Sequence, residues 1–375
     1  MKNILITGGA GFIGSRLCEK LFDQGNNITV LDNLSEQIHG NGESFLFNKI
    51  KDKCTFIKGD VRDKNDWAHA IKNQEIIIHL AAETGTGQSM YEVEKYTNVN
   101  VIGTSHMLEI LANSNHNVKK IIVASSRSIY GEGKYNCKTH GVQYPSKRKE
   151  EDMKKGEFNP KCSMCNSTLN VLPTDEQSKI HPSSIYGINK QQQEQMVMLM
   201  GESLSIPSIS FRYQNVYGPG QSLSNPYTGI LSIFSTRILN GNDLDIYEDG
   251  EETRDFVYIE DAVDATILGI EKEEANGHIF NVGSGVSTRV LDVANTLKRL
   301  YNSEINITVN GKFRLGDIRH NFADLSKLKD ILGFTPKYNF ERGITEFVNW
   351  VKTQEVMEDK YEKSIQQLKN KGLIK

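Results

Sequence analysis

Residues 8–14, GGAGFIG, follow the apolar run 3–7, NILIT, and precede a stretch whose apolar residues recur at helical spacing until Gly25. The apolar run is typical of a buried parallel strand, and the spacing of Leu17 and Leu21 predicts an amphipathic helix. Glycines three residues apart allow a tight turn and close approach to a pyrophosphate, while the helix N-terminus offers free N–H groups to its phosphates. The order of strand, glycines and helix therefore predicts a dinucleotide-binding site.

A second apolar run, residues 27–31, ends at Asp32, which lies 18 residues after Gly14. An acidic residue at this point accepts hydrogen bonds from the adenosine ribose hydroxyls and repels a 2′-phosphate. The sequence therefore favours NAD over NADP. The alternative is a strand–helix–strand turn with no ligand, which a glycine motif alone does not exclude.

Composition and charge narrow the class of protein. The 375 residues include 44 Lys and Arg against 47 Asp and Glu, for a formal net charge of −3. This balance gives no general attraction to nucleic acid or to an anionic membrane surface, and no apolar run approaches the roughly 20 residues of a membrane span. The chain begins directly in a core strand, so removal of a signal peptide would destroy the fold. We expect no nucleic-acid or membrane partner and a cytoplasmic location.

Strands that end in small or polar residues alternate with helical stretches along much of the chain. This alternation predicts a doubly wound α/β fold of the Rossmann type, with a parallel sheet that binds ligands at its carboxyl edge. We expect an NAD-binding domain over 1–218 with an insert at 132–182, and a smaller substrate lobe over 219–350 that partly packs back on the sheet. Residues 351–375 are charged with sparse apolar positions, and they predict a peripheral helix to which we assign no function.

Tyr186 and Lys190 stand one helical turn apart and therefore on one face of a helix. A phenol is a poor base near neutral pH, but a neighbouring ammonium and the positive charge of a nicotinamide lower its pKa. Tyr186 can then remove a hydroxyl proton while hydride leaves the same carbon. Ser126 follows the apolar run 120–124 and is placed to hydrogen-bond the same oxygen. The competing interpretation of the pair is a solvated helix face.

Further motifs belong to one recognisable set. They are HLAA at 79–82, NVIGT at 100–104, SSRSIYG at 125–131, YGINK at 186–190, RYQNVYGPG at 212–220, RDFVYI at 254–259, NVGSG at 281–285 and GDIRH at 316–320. Together with the glycine motif, they resemble the extended short-chain dehydrogenases/reductases, and among these the nucleotide-sugar epimerases and dehydratases. The resemblance extends from residue 1 to about residue 350.

The resemblance implies roles for individual residues. Ser126, Tyr186 and Lys190 would be the catalytic triad. The residues that would bind NAD are Gly8, Gly11, Phe12, Ile13, Gly14, Asp32, Asn33, Asp60, Val61, Leu80, Ala81, Ala82, Asn100, Tyr186, Lys190 and Tyr213. The residues that would bind the nucleotide sugar are Ser126, Asn215, Tyr247, Arg254, Arg314 and Asp317. Tyr247 would lie against the base. Arg254 and Arg314 would lie at the diphosphate, because the fork of a guanidinium group matches the spacing of phosphate oxygens. The competing interpretation of the two arginines is that they form surface ion pairs.

Arg127 and Ser128 bear on the reaction class. Dehydratases of this family carry an Asp-Glu pair at these two positions, related decarboxylases a Glu, and 3,5-epimerase/reductases a Cys. Elimination of water requires an acid and a base, and neither residue supplies a carboxylate. Epimerisation at C4 requires only Ser126, Tyr186 and NAD, so the resemblance implies a C4 epimerase.

The expected reaction converts dTDP-L-rhamnose to dTDP-6-deoxy-L-talose, because residues 211–220, 222–230 and 316–324 resemble enzymes of that reaction. A UDP-hexose or UDP-HexNAc 4-epimerase and a nucleotide-sugar 4-reductase are alternatives, since no residue distinguishes the sugars on physical grounds. A non-catalytic NAD sensor is an alternative from another class, although such a protein does not need a phenol–ammonium pair.

The family commonly dimerises through the helices that begin near Thr97 and Tyr186, which implies a homodimer. The apolar residues Met196, Met198, Leu199 and Met200 would lie either in that interface or in the core.

The insert at 132–182 carries two pairs of metal-ligating residues, Cys137 with His140 and Cys162 with Cys165. Two such pairs separated by a loop predict a structural zinc site with four protein ligands. A metal would supply folding free energy to a polar segment that cannot bury a core alone. The competing interpretation is a disordered loop with incidental thiols.

Overall fold

The computed structural model describes residues 1–40, 44–227 and 229–374. The strands are β1 (Asn3–Thr7), β2 (Asn27–Asp32), β3 (Thr55–Lys58), β4 (Ile76–His79), β5 (Lys120–Ser126), β6 (Tyr135–Cys137), β7 (Gly141–Gln143), β8 (Asn170–Val171), β9 (Ser208–Tyr213), β10 (Asn215–Tyr217), β11 (Leu244–Ile246), β12 (Thr253–Arg254), β13 (Phe256–Tyr258), β14 (Ile279–Val282), β15 (Thr288–Arg289), β16 (Ile307–Val309) and β17 (His320–Asn321). The α-helices are α1 (Phe12–Asp23), α2 (Glu36–His39), α3 (Phe45–Ile50), α4 (Lys64–Ile71), α5 (Thr86–Ser89), α6 (Val93–Thr97), α7 (Gly103–Asn113), α8 (Glu150–Met153), α9 (Ile185–Ser203), α10 (Ile230–Leu239), α11 (Ile259–Glu271), α12 (Val290–Tyr301), α13 (Ser326–Leu332), α14 (Phe340–Val351) and α15 (Tyr361–Asn370). Short 3-10 turns cover Arg127–Tyr130 and Glu273–Ala275, and a π-helical turn over Asn98–Ile102 joins α6 to α7.

Seven parallel strands form the central sheet in the order β3-β2-β1-β4-β5-β9-β14. Ile4 and Ile6 belong to the apolar core on one face of this sheet, and Leu5 belongs to the core on the other face. Helices cover both faces, which is why β1, β4 and β5 are apolar along most of their length. The predicted doubly wound α/β fold of the Rossmann type is confirmed.

The glycine turn between β1 and α1 is closely packed. Gly8 has a φ of +68°, and a Cβ at this position would lie 2.8 Å from the backbone nitrogen of Ala81. A Cβ at Gly14 would overlap the carbonyl oxygen of Gly8. Glycine is therefore required at both positions, so that the turn can bring the first helix onto the carboxyl edge of the sheet.

The chain after β9 builds a second lobe and also returns to the large sheet. Its small sheets pair β10 with β13, β11 with β16, and β12 with both β15 and β17. Strand β14 extends the central sheet beside β9, so this part of the chain also contributes to the central sheet. The domain limits at residues 218 and 350 stay predictions.

The insert at 132–182 contains a small antiparallel sheet in the order β7-β6-β8. The side chains of Tyr135, Cys137, Cys162 and Leu169 are buried together beside it. The segment therefore has a folded centre, but this centre is small.

The C-terminal segment contains the expected helix, α15, but the helix is not peripheral. Tyr361, Ile365, Leu368 and Ile374 are buried in one cluster, with Tyr247 of the second lobe packed against them. The sparse apolar positions at i, i+4 and i+7 mark this buried face.

No helix among the described residues combines the length and the apolar character that a membrane span requires. The cytoplasmic location stays a prediction.

Candidate active site

Tyr186 enters the site from the first turn of α9, which packs along β5. The hydroxyl oxygen of Ser184 accepts a hydrogen bond from the backbone nitrogen of Gly187 at 3.1 Å and caps this helix. A Cβ at Gly187 would lie 2.7 Å from the carbonyl oxygen of Ser128, so the start of α9 lies directly against the turn that follows β5. As a result, the Tyr186 phenol lies close to Ser126, the last residue of β5.

Lys190 is buried one turn further along α9 and is held by two acceptors. Its Nζ donates to the carbonyl oxygen of Ala124 and to Oε1 of Gln193, both at 2.8 Å. The amide nitrogen of Gln193 in turn donates to Thr104 at 2.9 Å. Sequence reasoning missed Gln193, although its place three residues after Lys190 puts both side chains on one helix face. Gln193 is a positioning residue for the lysine.

The electrostatics of the pair differ from the sequence-based expectation. Burial raises the pKa of Tyr186, although the hydroxyl of Ser126 and the charge of Arg127 act in the opposite direction. Burial also lowers the pKa of Lys190 to about 7. The expected lowering of the phenol pKa by Lys190 is therefore wrong for the chain itself, because desolvation outweighs the attraction. The charges that favour phenolate are Arg127 and, with the cofactor, the nicotinamide.

One cleft of about 1060 Å³ joins the glycine turn, the catalytic residues and the second lobe. The predicted cofactor residues that line it are Gly8, Gly11, Phe12, Ile13, Gly14, Asp32, Asn33, Asp60, Val61, Leu80, Ala81, Ala82, Tyr186, Lys190 and Tyr213. The predicted substrate residues that line it are Ser126, Asn215, Tyr247, Arg254, Arg314 and Asp317. The structure therefore brings all but one of the predicted cofactor and substrate residues to a single surface.

Asn100 is the exception, and its contact with the cofactor stays a prediction. Its side chain is fully buried and does not line the cleft. Its amide accepts a hydrogen bond from the backbone nitrogen of Glu83 at 2.8 Å and donates to the Glu83 carbonyl at 3.1 Å. Asn100 therefore fixes the loop after β4, which itself lines the cleft.

The nucleotide end of the cleft suits NAD. Helix α1 follows Gly11, which has no side chain with which to cap the first turn, so backbone N–H groups there remain for phosphates. The Asp32 carboxylate ends β2 and accepts hydrogen bonds from Ala10 at 3.0 Å and Leu34 at 2.9 Å. Asn33 donates to Asp60 at 2.9 Å. Acceptors for ribose hydroxyls and donors for a pyrophosphate therefore lie in the arrangement that NAD requires.

Three arginines, Arg127, Arg254 and Arg314, line the substrate end of the cleft. Arg254 donates to Asp317 at 3.1 Å, and the guanidinium of Arg314 lies 4.9 Å from the centre of the Tyr247 ring. Although burial acts against it, the charges of Arg254, Arg314, Arg148 and Arg127 lower the pKa of Asp317. The Arg148 guanidinium is itself paired with Glu132 at 3.3 Å and Glu248 at 2.8 Å, so Arg127, Arg254 and Arg314 are the groups that remain for a diphosphate. Sequence reasoning missed Arg148, which comes from the insert and donates to the carbonyl oxygen of Asp317 at 2.9 Å.

The four predicted metal ligands of the insert converge. The ligand atoms of Cys137, His140, Cys162 and Cys165 all lie within 4.8 Å of one another. Cys137 Sγ is 3.6 Å from His140 Nδ1 and 3.7 Å from Cys165 Sγ. A tetrahedral zinc ion with bonds of about 2.3 Å holds its sulfur ligands about 3.8 Å apart. The cluster therefore has the size and the chemistry of a structural zinc site.

The fold and the cleft define a dinucleotide-binding protein with the tyrosine–lysine pair of the short-chain dehydrogenases/reductases. More narrowly, the chain belongs to the NAD dependent epimerase/dehydratase family, whose sequence model matches residues 4–164 and 162–283. The expected family is confirmed.

Several related proteins are similar in sequence to this chain over almost its whole length. A dTDP-L-rhamnose 4-epimerase of Burkholderia thailandensis is 37% identical over 353 residues, which are 93% of this chain and 95% of that protein. A putative UDP-glucose 4-epimerase of Methanocaldococcus jannaschii is 31% identical over 93% of this chain and 98% of that protein. The crystal structure of a UDP-glucose 4-epimerase from Thermotoga maritima with UDP-glucose has a TM-score of 0.75 and 31% identity, and the match covers 93% of this chain and 98% of that one.

Proposed function

We propose that this chain is an NAD-dependent C4 epimerase that converts dTDP-L-rhamnose to dTDP-6-deoxy-L-talose. The observation that carries the proposal is the position of Ser126, Tyr186 and Lys190 between a nucleotide cradle and an arginine-lined substrate end of one cleft. The choice of sugar is supported by the relative from Burkholderia thailandensis at 37% identity.

In the proposed reaction Tyr186 takes the proton of the C4 hydroxyl. Bound NAD, held by the glycine turn and Asp32, would supply the acceptor for the C4 hydride, and Tyr186 would return the proton to the C4 oxygen when the hydride returns to the opposite face. Ser126 accepts hydrogen bonds from the backbone nitrogen of Ser128 at 3.2 Å and from its hydroxyl at 2.9 Å. Both acceptor positions of Ser126 are thus used, so its own proton is directed toward the reacting oxygen.

Lys190 contributes to the site through its N–H donors. Two of its three N–H donors are used by Ala124 and Gln193. One donor therefore remains for a hydroxyl of the cofactor ribose or for the tyrosine oxygen.

Arg127 favours epimerisation over elimination of water. It occupies the position of the first acid of a dehydratase pair, and its guanidinium lies 3.3 Å from Oδ1 of Asn215. Burial and the nearby Arg254 lower the pKa of Arg127 to about 10, which leaves it cationic near neutral pH. A cation stabilises the Tyr186 phenolate but cannot act as the base that elimination requires.

The direct test offers the purified enzyme dTDP-L-rhamnose, UDP-glucose and UDP-GlcNAc separately and identifies each product by NMR. We expect the dTDP sugar to interconvert with its C4 epimer, and Tyr186→Phe to lose this activity. Turnover of a UDP sugar alone would instead support the second candidate, a UDP-hexose or UDP-HexNAc 4-epimerase, which the similarity to two UDP-glucose 4-epimerases favours.

We propose a structural zinc ion at Cys137, His140, Cys162 and Cys165. Four protein ligands leave no open coordination position, so the ion would stabilise the insert and take no part in catalysis. The small size of the insert core supports this assignment, because a bound metal would supply folding free energy that the core lacks.

We also propose that the enzyme is a homodimer formed through α7 and α9. Leu199 on α9 is 64% exposed and Ile188 is 40% exposed, although both are large apolar residues. Exposed apolar side chains on one helix are typical of a partner surface. Light scattering should give the mass of two chains, and a single-chain mass would contradict this proposal.

A further inference from the structure

The segment 357–374, which we call the C-terminal strap, forms one wall of the substrate end of the cleft. Met357, Lys360 and Tyr361 line the cleft. The apolar face of α15 is buried, and its opposite face, which carries Gln366, is exposed. The strap is therefore part of the binding surface and is held in one orientation by its packing.

The start of the strap is fixed by α10. The guanidinium of Arg237 donates to Asp359 at 3.2 Å and to Glu362 at 3.1 Å, and it lies 4.4 Å from the centre of the Tyr361 ring. Asn242 also donates to Asp359 at 2.7 Å. The side chains of Arg237 and Asp359 are only 8% and 9% exposed. A buried ion pair with several hydrogen bonds, such as Arg237 with Asp359, fixes the position of the Tyr361 ring beside it.

The end of the strap is paired with the backbone that carries Arg314. The backbone nitrogen of Leu315 donates to the carbonyl oxygen of Leu373 at 3.1 Å, and Arg314 forms an antiparallel bridge with Ile374. The Nε atom of Arg314 is buried and has no hydrogen-bond partner among the described residues. A buried guanidinium nitrogen without an acceptor points to an anionic ligand at this position.

A series of contacts gives the order of subsites along the cleft. Starting beside Ser126, the contacts are Arg127 with Asn215 at 3.3 Å, Arg254 with Asp317 at 3.1 Å, Arg314 with the Tyr247 ring at 4.9 Å, and the hydroxyls of Tyr247 and Tyr361 at 3.4 Å. The reacting sugar lies at the first of these contacts and the arginines follow. The two tyrosines therefore stand where the nucleoside of a sugar nucleotide extends beyond its diphosphate.

We propose that the C-terminal strap is the base-binding wall of the substrate site. In this assignment the ring of Tyr361 contacts the nucleotide base beside Tyr247, and the bridge at Ile374 holds Arg314 against the diphosphate. This inference rests on the proposed nucleotide-sugar function, and it adds a base-binding residue, Tyr361, to that site. Stacking of a base on an aromatic ring is sequence-tolerant and contributes a large share of nucleotide affinity.

The first test removes the aromatic ring and keeps an apolar side chain at this position. In Tyr361→Leu we expect the Kd for dTDP, measured by calorimetry on the NAD-loaded protein, to rise about tenfold, as loss of one base–aromatic contact predicts. The KM for the sugar nucleotide should rise in parallel, while kcat and NAD content stay at their normal values. The matched control is Gln366→Ala on the exposed face of α15, which should leave all four quantities unchanged. An unchanged dTDP affinity in folded Tyr361→Leu would overturn the proposal.

A second variant separates the two contacts that the strap makes. A chain that ends at Lys371 loses the bridge to Arg314 but keeps Tyr361, so it should bind pyrophosphate more weakly than the full chain does. Tyr361→Leu should bind pyrophosphate normally. Equal pyrophosphate binding by the shortened chain and the full chain would contradict the role given to the bridge. Because dTDP and pyrophosphate binding are measured without turnover, these results stand even if the epimerase assignment fails.

Discussion

Lys190 lowers the stability of the fold that holds it, and the effect depends on pH. Its ammonium is buried beneath α9, and burial lowers the pKa from an ordinary value of 10.5 to about 7. In the unfolded chain the lysine has its ordinary pKa, so between pH 7 and 10 the unfolded state binds more protons than the folded state. The free energy of unfolding therefore rises with pH in this range, by up to about 1.4 kcal/mol per pH unit.

Replacing Lys190 with methionine removes this titration. With a folded-state pKa of about 7, linkage predicts that the natural protein gains about 2 kcal/mol relative to Lys190→Met between pH 7 and pH 9. The variant also loses two hydrogen bonds, to Ala124 and Gln193. That loss is the same at both pH values. It therefore changes the difference in the free energy of unfolding between the two proteins by a constant amount and does not alter how this difference depends on pH.

The measurement is urea unfolding at pH 7, 8 and 9 for the natural protein, Lys190→Met and the control Lys72→Met, whose lysine is exposed. The free energy of unfolding of the natural protein should increase relative to that of Lys190→Met as pH rises. The free energy of unfolding of Lys72→Met should change with pH as that of the natural protein does. Parallel curves for Lys190→Met and the natural protein would refute the assignment of a buried lysine with a lowered pKa.

Three further predictions concern the other parts of the site. Tyr186→Phe should lower kcat by about 10³-fold through loss of proton transfer, with dTDP affinity unchanged in calorimetry; a variant that retains normal turnover would remove the tyrosine from the mechanism. Asp32→Ala should weaken NAD binding by at least about tenfold, because a charge-assisted hydrogen bond contributes about 1.5–3 kcal/mol, and unchanged cofactor content after gel filtration would argue against its ribose contact. Metal analysis of protein prepared without chelator should find about one zinc per chain. Cys162→Ser should lose this zinc and melt at a lower temperature. Zinc-free protein of normal stability would rule out the structural site.

Local sequence patterns predict the NAD-binding part of the molecule well. The run 3–7, the glycines of 8–14 and Asp32 form one continuous strand–turn–helix–strand segment within the first 32 residues. Parallel strand pairing then brings the ends of β1, β2 and β4 together, because every parallel strand presents its carboxyl end at the same edge. The fold class and the common cleft therefore follow from segments that are short and strongly patterned.

The features that sequence reasoning missed depend on contacts between distant parts of the chain. Asn100 matches a family motif, yet its amide is used by the backbone of Glu83, which only the folded loop after β4 reveals. The pKa of Tyr186 is set by how deeply α9 is buried, and spacing along a helix does not report burial. The C-terminal strap has no sequence pattern that predicts its role, because its partners, Arg237 and Arg314, lie more than 40 residues before it.

The most direct test of the central claim is proton NMR of the enzyme with dTDP-L-rhamnose in D₂O, without added cofactor. A C4 epimerase that returns its own hydride should give the 6-deoxy-talose epimer with no deuterium at C4 or C5. Deuterium at C5 with a 4-keto product would identify a dehydratase and contradict the conclusion drawn from Arg127 and Ser128. Turnover that begins only when NAD(P)H and a keto sugar are supplied would identify a reductase and contradict internal hydride return.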